Sequence, residues 1–287
     1  NLPLTVNGHL MPGKFELPGD VSSQFVSGLL FALPLLKGDS EIIITSPLES
    51  ASYVDMTLNC LAKYGVKVEN VDGAHRHYLV PGKQRFKAQD SKVEGDWSQA
   101  AFWTVGGALG AGITASGVDF TSLQGDKAVV EIMQRMGADI VKNADSVTVN
   151  SGATQATVID ASNCPDIIPV LTVLAAVSEG TTKIINAGRL RIKECDRLAA
   201  MTSELNKMGA EITEEAEGLT ITGKPKGLCG GVEVDAWNDH RIAMSLAIAA
   251  QCCAEPITLT GAGSVSKSYP DFWEDYKSVG GKIEVLA

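Results

Sequence analysis

A glycine recurs at Gly65, Gly137, Gly209 and Gly280, with spacings of 72, 72 and 71 residues. Each lies in the same local context: "LAKYGVKVE", "MQRMGADIV", "LNKMGAEIT" and "YKSVGGKIE". Apolar residues at helical period come before it, as with Leu198, Met201, Leu205 and Met208 ahead of Gly209, and an alternating run comes after. A glycine between helix and strand predicts a left-handed helix cap, because that residue needs a positive φ that a Cβ opposes. The chain is therefore expected to fold as copies of one unit. A unit of 72 residues is far longer than a solenoid repeat, so a few copies grouped around a local axis are expected.

The other half of each unit repeats too. "SSQFVSGLLFALPLLKGDSEIII", "DWSQAAFWTVGGALGAGITASG", "PDIIPVLTVLAAVSEGTTKII" and "DHRIAMSLAIAAQCCAEPITLTG" each run from a polar start through an apolar helix and a short turn to a strand. First helices are expected to begin near Ser22, Trp97, Asp166 and Asp239. Each unit reads β-α-β-α-β with room for one more strand, which predicts βαβ units whose sheets are covered by helices. With 45% hydrophobic but only 6% aromatic residues, the composition suits an aliphatic α/β protein, and 287 residues allow two domains.

Polar residues out of keeping with this pattern collect at helix starts. They include Ser22, Ser23 and Gln24; Asp166; and Asn238, Asp239, His240 and Arg241. Ahead of second helices stand Ser50 and Tyr53, a charged cluster, and Ser266, Lys267 and Ser268. The cluster is Arg189, Arg191, Lys193, Glu194, Asp196 and Arg197, in a chain of net charge −10 with only 20% charged residues. Helix N-termini offer unpaired N–H groups and partial positive charge, and arginine adds forked donors. Several such ends together predict a site for a multiply anionic small molecule. Taken alone, the cluster also reads as a capping box with surface ion pairs. The acidic balance argues against a general nucleic-acid binder.

Taken in order, "GDVSSQF", "RIKECDR", "NDHRIAM" and "KSYPDFW" resemble the motifs of the 5-enolpyruvylshikimate-3-phosphate synthase (3-phosphoshikimate 1-carboxyvinyltransferase) family of enolpyruvyl transferases. The resemblance runs from about residue 1 to the end. It implies an inside-out α/β barrel fold of repeated βαβαββ units, six in the family and about four here. Residues 1–94 would be the last unit of the family's first domain, and 95–287 its second domain of three units. The family's N-terminal lysine–serine motif, a glycine-rich loop and a further arginine have no counterpart, so the resemblance also implies an N-terminally truncated chain, inactive alone. The implied reaction moves the enolpyruvyl group of phosphoenolpyruvate to the 5-hydroxyl of shikimate 3-phosphate and releases phosphate, in aromatic amino acid biosynthesis. No metal or organic cofactor is implied.

By the same resemblance, Asp166, Glu194 and Lys267 fall on catalytic positions, Asp166 accepting the hydroxyl proton and Glu194 handling the methylene proton. Ser22, Ser23, Gln24, Ser50, Tyr53, Asp166 and Lys193 fall on the shikimate 3-phosphate side. Gln24, Arg197, His240, Arg241 and Lys267 fall on the phosphoenolpyruvate side, and Arg189 stands where a smaller polar contact is expected. The partners implied are these two small molecules, without nucleic acid or membrane, for a monomer whose incomplete lobe is open to self-association.

Other residues read more plainly. His75 and His77 alternate as a solvated strand face would, rather than as metal ligands. Trp97, Trp103 and Trp273 read as packing, and "GGALGAG" as close helix packing rather than a nucleotide loop. Cys195 is expected to be a packing residue, although neighbouring cations would favour its thiolate. The six cysteines form no CxxC pair and read as reduced thiols, no segment reads as a signal peptide, and the most apolar stretch, 167–177, is too short to span a membrane, so a cytoplasmic setting is expected. Alternatives are the sister transferase that uses UDP-N-acetylglucosamine, an RNA 3′-phosphate cyclase, and a non-catalytic repeat scaffold.

Overall fold

A computed structural model describes residues 3–286, in two compact units divided between Lys92 and Val93. The first unit runs β1 (Lys14–Leu17), α1 (Ser23–Ala32), β2 (Ser40–Ile44), α2 (Ala51–Lys63), β3 (Glu69–Asn70) and β4 (His77–Val80). Its sheet has the order β1-β2-β4-β3, with β1 parallel to β2 and the other neighbours antiparallel.

The second unit opens with α3 (Trp97–Leu109), β5 (Ile113–Ser116), α4 (Ala128–Arg135), β6 (Asp139–Lys142) and β7 (Ser146–Asn150). Next come β8 (Val158–Asp160), α5 (Ile168–Val177), β9 (Thr181–Ile185), α6 (Arg197–Lys207), β10 (Glu211–Glu215) and β11 (Gly218–Thr222). It closes with β12 (Glu233–Asp235), α7 (His240–Ala249), β13 (Thr258–Thr260) and α8 (Phe272–Ser278). The order β8-β9-β11-β10 copies that of the first unit, strand for strand and direction for direction. The order β5-β7-β6 is the same pattern without its first strand, and β12-β13 is the parallel pair alone.

The repeat is therefore visible in topology as well as in sequence. The βαβαββ plan is complete in the first and third copies. Among the described residues the second copy has no opening strand, and the expected strand after Gly280 does not form. Ahead of α3 the Gly95 N–H donates to the Gly117 carbonyl at 3.0 Å, but no ladder builds on it.

The recurring glycines do what their position demands. Gly65, Gly137, Gly209 and Gly280 have φ of 78°, 84°, 98° and 101°. Each donates to the carbonyl three residues back, and the residue after each donates to the carbonyl five back, as in Gly209 to Asn206 (3.0 Å) and Ala210 to Leu205 (2.9 Å). This is the Schellman closure of a helix, four times over.

In the second unit the first helices of the three copies, α3, α5 and α7, pack on one another and are almost wholly buried. A Cβ on Gly106 of α3 would lie 3.2 Å from Ile248 of α7, so "GGALGAG" does serve close packing. In the first unit α1 buries Val26 and Leu30 over the sheet, but Phe25 and Phe31 remain 59% and 43% exposed. No helix among the described residues is long and apolar enough to cross a membrane.

Candidate functional site

The parallel strand pair decides where helix starts fall. Two helices that each follow a parallel strand begin at the same edge of the sheet, outside the carboxyl ends of the strands. In the first unit this edge gathers the starts of α1 and α2. Ser22 caps α1 by accepting from the Gln24 N–H at 3.3 Å. Ser23 is buried, and Gln24 is exposed. Ser50 is buried and left-handed (φ 53°) just ahead of α2, and its carbonyl accepts from the Tyr53 N–H. The two loops press together at Gly19, where a Cβ would lie 2.7 Å from the Pro47 carbonyl. The Gly19 N–H donates to Ser46 at 2.9 Å, and the Glu49 N–H to the Gly19 carbonyl at 3.1 Å.

In the second unit the corresponding edges carry charge. Asp166 lies in a 3-10 turn, Pro165–Ile167, that leads into α5; its side chain turns to cations instead of capping the helix. The Arg197 guanidinium, 1% exposed at the start of α6, donates from Nη1 to Asp166 (2.8 Å), from Nη2 to Glu194 (2.6 Å) and from Nε to Asp239 (2.8 Å). Arg241, in the first turn of α7, donates to the second Asp166 oxygen at 3.3 Å, to the Asp166 carbonyl at 3.3 Å and to Ser98 Oγ at 3.1 Å. Lys193 Nζ stands 3.6 Å from Asp166. Lys193, Arg197 and Arg241 thus converge on one carboxylate.

Burial disfavours the charged form of Asp166, but Arg241, Lys193 and Arg197 outweigh it and hold the carboxyl well below the usual range. Asp239, fully buried, is held low by Arg197 against the same cost of burial. Asp239 also caps α7, accepting from the Arg241 N–H at 2.8 Å. Glu194 gives one oxygen to Arg197 and remains 40% exposed. Lys267 donates to the carbonyl and, at 2.8 Å, to the side-chain oxygen of Asn238, next to the start of α7. His240 is buried, and burial, then Arg241, depress its pKa.

Of the residues singled out in the sequence, Asp166, Lys193, Glu194, Arg197 and Arg241 form one connected cluster, and Lys267 reaches the segment leading into it. Asp239, Ser98 and Asn238 complete the network, although no role beyond their position was legible in the sequence. Arg191 is a structural tie: it donates to Asp196 at 2.9 Å, to Glu214 at 2.6 Å and to the Glu215 carbonyl at 2.6 Å, joining the cap of α6 to β10. Arg189 lies in the 3-10 turn Gly188–Ile192. The thiolate option for Cys195 is overturned. Burial, with Asp239 3.6 Å from its sulfur, pushes the thiol up to about 12.

His75 is not on a solvated strand face either; it sits in a left-handed turn and its Nδ1 meets Tyr78 Oη at 2.7 Å. Trp97, Trp103 and Trp273 pack and bond within the second unit, to the Asp119 carbonyl, Tyr269 and the Ala262 carbonyl. Among the described residues no group of three or more His, Cys, Asp or Glu is placed to hold a metal ion.

Comparison with known proteins bears on this arrangement. The model of the family "EPSP synthase (3-phosphoshikimate 1-carboxyvinyltransferase)" matches residues 1–276. The 3-phosphoshikimate 1-carboxyvinyltransferase of Clostridium kluyveri is 55% identical over 283 residues, 99% of this chain and 66% of the relative. That of Clostridium novyi is 53% identical over 99% of this chain and 64% of the relative. The chain thus spans slightly under two thirds of the length of these relatives. Among solved structures, EPSP synthase from Acinetobacter baumannii superposes with a TM-score of 0.82 at 29% identity, over 97% of this chain and 64% of the other. The enolpyruvyl transferase NikO from Streptomyces tendae, 19% identical with a TM-score of 0.75 over 97% of this chain and 66% of the other, shares the fold.

Proposed function

We propose, from the premise that this chain belongs to the EPSP synthase (3-phosphoshikimate 1-carboxyvinyltransferase) family, that it serves enolpyruvyl transfer from phosphoenolpyruvate to the 5-hydroxyl of shikimate 3-phosphate. The observation that carries this reading is the convergence of Lys193, Arg197 and Arg241 on Asp166 at the start of α5. Two multiply charged substrates need fixed cations, and proton transfer at neutral carbon and hydroxyl groups needs placed carboxylates.

In this reading the hydroxyl oxygen bonds to the central carbon of phosphoenolpyruvate while the methylene carbon takes a proton, giving a tetrahedral intermediate. Loss of that proton and departure of phosphate restore the double bond. Asp166 receives the hydroxyl proton, and Glu194, partly exposed and able to exchange with solvent, serves the methylene carbon. A carboxylate held as low as Asp166 is a weak base by itself. Anionic substrates that occupy the cations around it would raise its basicity when the proton must move. Arg197 spends Nε, Nη1 and Nη2 on carboxylates, so its part is chiefly to orient Asp166 and Glu194, with Arg241, Lys267 and His240 nearer the phosphoenolpyruvate. Within the second unit, Lys193 takes the shikimate 3-phosphate.

The six cysteines are all free, which supports a reducing cytoplasmic setting, and the exposed Phe25 and Phe31 of α1 offer a route to self-association. The test is phosphate release from phosphoenolpyruvate plus shikimate 3-phosphate, together with thermal protection of the chain by each compound. Protection by shikimate 3-phosphate is expected. Protection by UDP-N-acetylglucosamine instead would transfer the reading to the sister enzyme, and protection by neither would end it.

A further inference from the structure

Helix α6 grips the segment between β12 and α7 at two points. At its start Arg197 donates to Asp239. Seven residues on, and so on the same face, stands Glu204, a carboxylate only 1% exposed. Glu204 accepts from Trp237 Nε1 (3.0 Å), the Asp235 N–H (3.0 Å), Lys207 Nζ (2.7 Å) and Ser203 Oγ (3.0 Å). A carboxylate so buried is costly unless saturated in this way. Two of its four donors belong to the segment that leads into the candidate site.

Between the two grips the backbone is left-handed at consecutive residues, Trp237 (φ 51°) and Asn238 (φ 53°). Asparagine visits this region readily; a bulky aromatic residue rarely does, and it stays there only when its surroundings hold it. The turn has definite results. It leaves the Asn238 carbonyl and side-chain oxygen facing Lys267. It also delivers Asp239 to the α7 N-terminus, where the carboxylate caps Arg241 and takes Arg197. An extended backbone at Trp237 and Asn238 would turn these groups away.

We propose that Glu204 and Trp237 are positioning residues: their hydrogen bond holds the Trp237–Asn238 turn left-handed, and the turn sets Lys267, His240 and Arg241 for an anionic ligand. That the ligand is phosphoenolpyruvate rests on the function proposed above; the conformational claim does not.

The experiment compares Glu204→Gln and Trp237→Phe with the unaltered 287-residue chain, by amide hydrogen exchange and by titration with phosphoenolpyruvate. Both variants should lose about tenfold protection at the Asp239 and Arg241 amides, the scale of one lost hydrogen bond, with the α5 amides unchanged. Phosphoenolpyruvate should bind the variants about tenfold more weakly. Unchanged exchange at Asp239 and Arg241 in both variants overturns the proposal, as does a loss shared equally by α5, which marks an ordinary core carboxylate. Local loosening without weaker binding overturns the ligand-setting half. If the unaltered chain binds no phosphoenolpyruvate, the functional reading fails, while exchange still decides the turn. Trp237→Phe keeps the test open should Glu204→Gln not fold.

Discussion

The first and third repeats, residues 14–80 and 158–222, share one sheet order and one direction for every strand, yet they carry opposite chemistry at the same edge. In the first, the helix starts present Ser22, Ser23, Gln24, Ser50 and Tyr53, all uncharged. In the third they present Asp166, Lys193, Glu194 and Arg197. The first helices differ as well. In α5, every residue from Ile168 to Ala176 is buried, because α3 and α7 pack against it. In α1, Phe25 and Phe31 face solvent. Topology decides where helix starts gather, and what surrounds the repeat decides what can stand there. A guanidinium 1% exposed survives only because three carboxylates share it, and the fully buried one, Asp239, comes from the next copy.

Removing the shared cation should separate the two repeats most strongly. Arg197→Ala strands the fully buried Asp239 without its main partner, takes one of three cations from Asp166, and should cost about 3–5 kcal/mol in urea unfolding of the second unit. A cost below about 1 kcal/mol, the value of an exposed pair, would show that burial does not matter here. Acid should act on the same cluster. The folded-state pKa values of Asp166 and Asp239 are depressed, so their stabilisation is present above the unfolded value of about 3.9 and is lost as pH falls through the lower folded values. A second unit whose stability is flat below pH ~4 would contradict this.

Next in size is the contrast between helices. Leu171→Ala empties a fully buried place in α5 and should cost about 2–5 kcal/mol. Phe25→Ala removes a larger but solvent-exposed side chain from α1 and should stay within about 0.5 kcal/mol. A large loss at Phe25, especially one that shrinks with dilution, would show that α1 is covered by another molecule in solution. Smaller again is Ser22→Ala, which deletes the oxygen that caps α1 and should cost about 1 kcal/mol.

How much of this could be read in the sequence follows from what sets each feature. The repeat and its four helix closures were legible because a positive φ after a helix nearly demands glycine, and that demand is local. The missing edge strands were not, since a strand exists only through a partner, and nothing in residues 88–94 or 282–286 announces that none forms. Placing Asp166, Lys193, Glu194, Arg197 and Arg241 as candidates was possible from their unusual charge at helix starts. Assigning Arg197 three carboxylate partners was not, because Asp239 looks like any N-cap aspartate until the chain is folded. Glu204 and Trp237 gave even less warning: a glutamate and a tryptophan at ordinary positions, whose meaning lies in the left-handed turn between β12 and α7.

His240 tests whether the charged edge of the second unit is electrostatically closed. The ring is buried, its Nδ1 has no hydrogen-bond partner, and the nearest carboxylate oxygen, on Asp239, is 3.9 Å away. Burial first and Arg241 second disfavour its protonated form, and Asp239 opposes them without prevailing. The folded pKa therefore lies below the unfolded value of about 6.5. Between those two values the unfolded chain binds the proton more readily, so stability should fall as pH drops below about 6.5, with a slope of at most about 1.4 kcal/mol per pH unit for one proton. His240→Gln keeps a polar side chain of similar reach and removes the proton, so the slope between pH ~7 and ~5 should flatten, the other histidines showing no such burial. Urea midpoints across that range supply the measurement. If acidification instead strengthens the fold, and His240→Gln abolishes the gain, then Asp239 captures a charged His240. The edge would then hold room for one more cation than Arg197, Arg241 and Lys193 already fill.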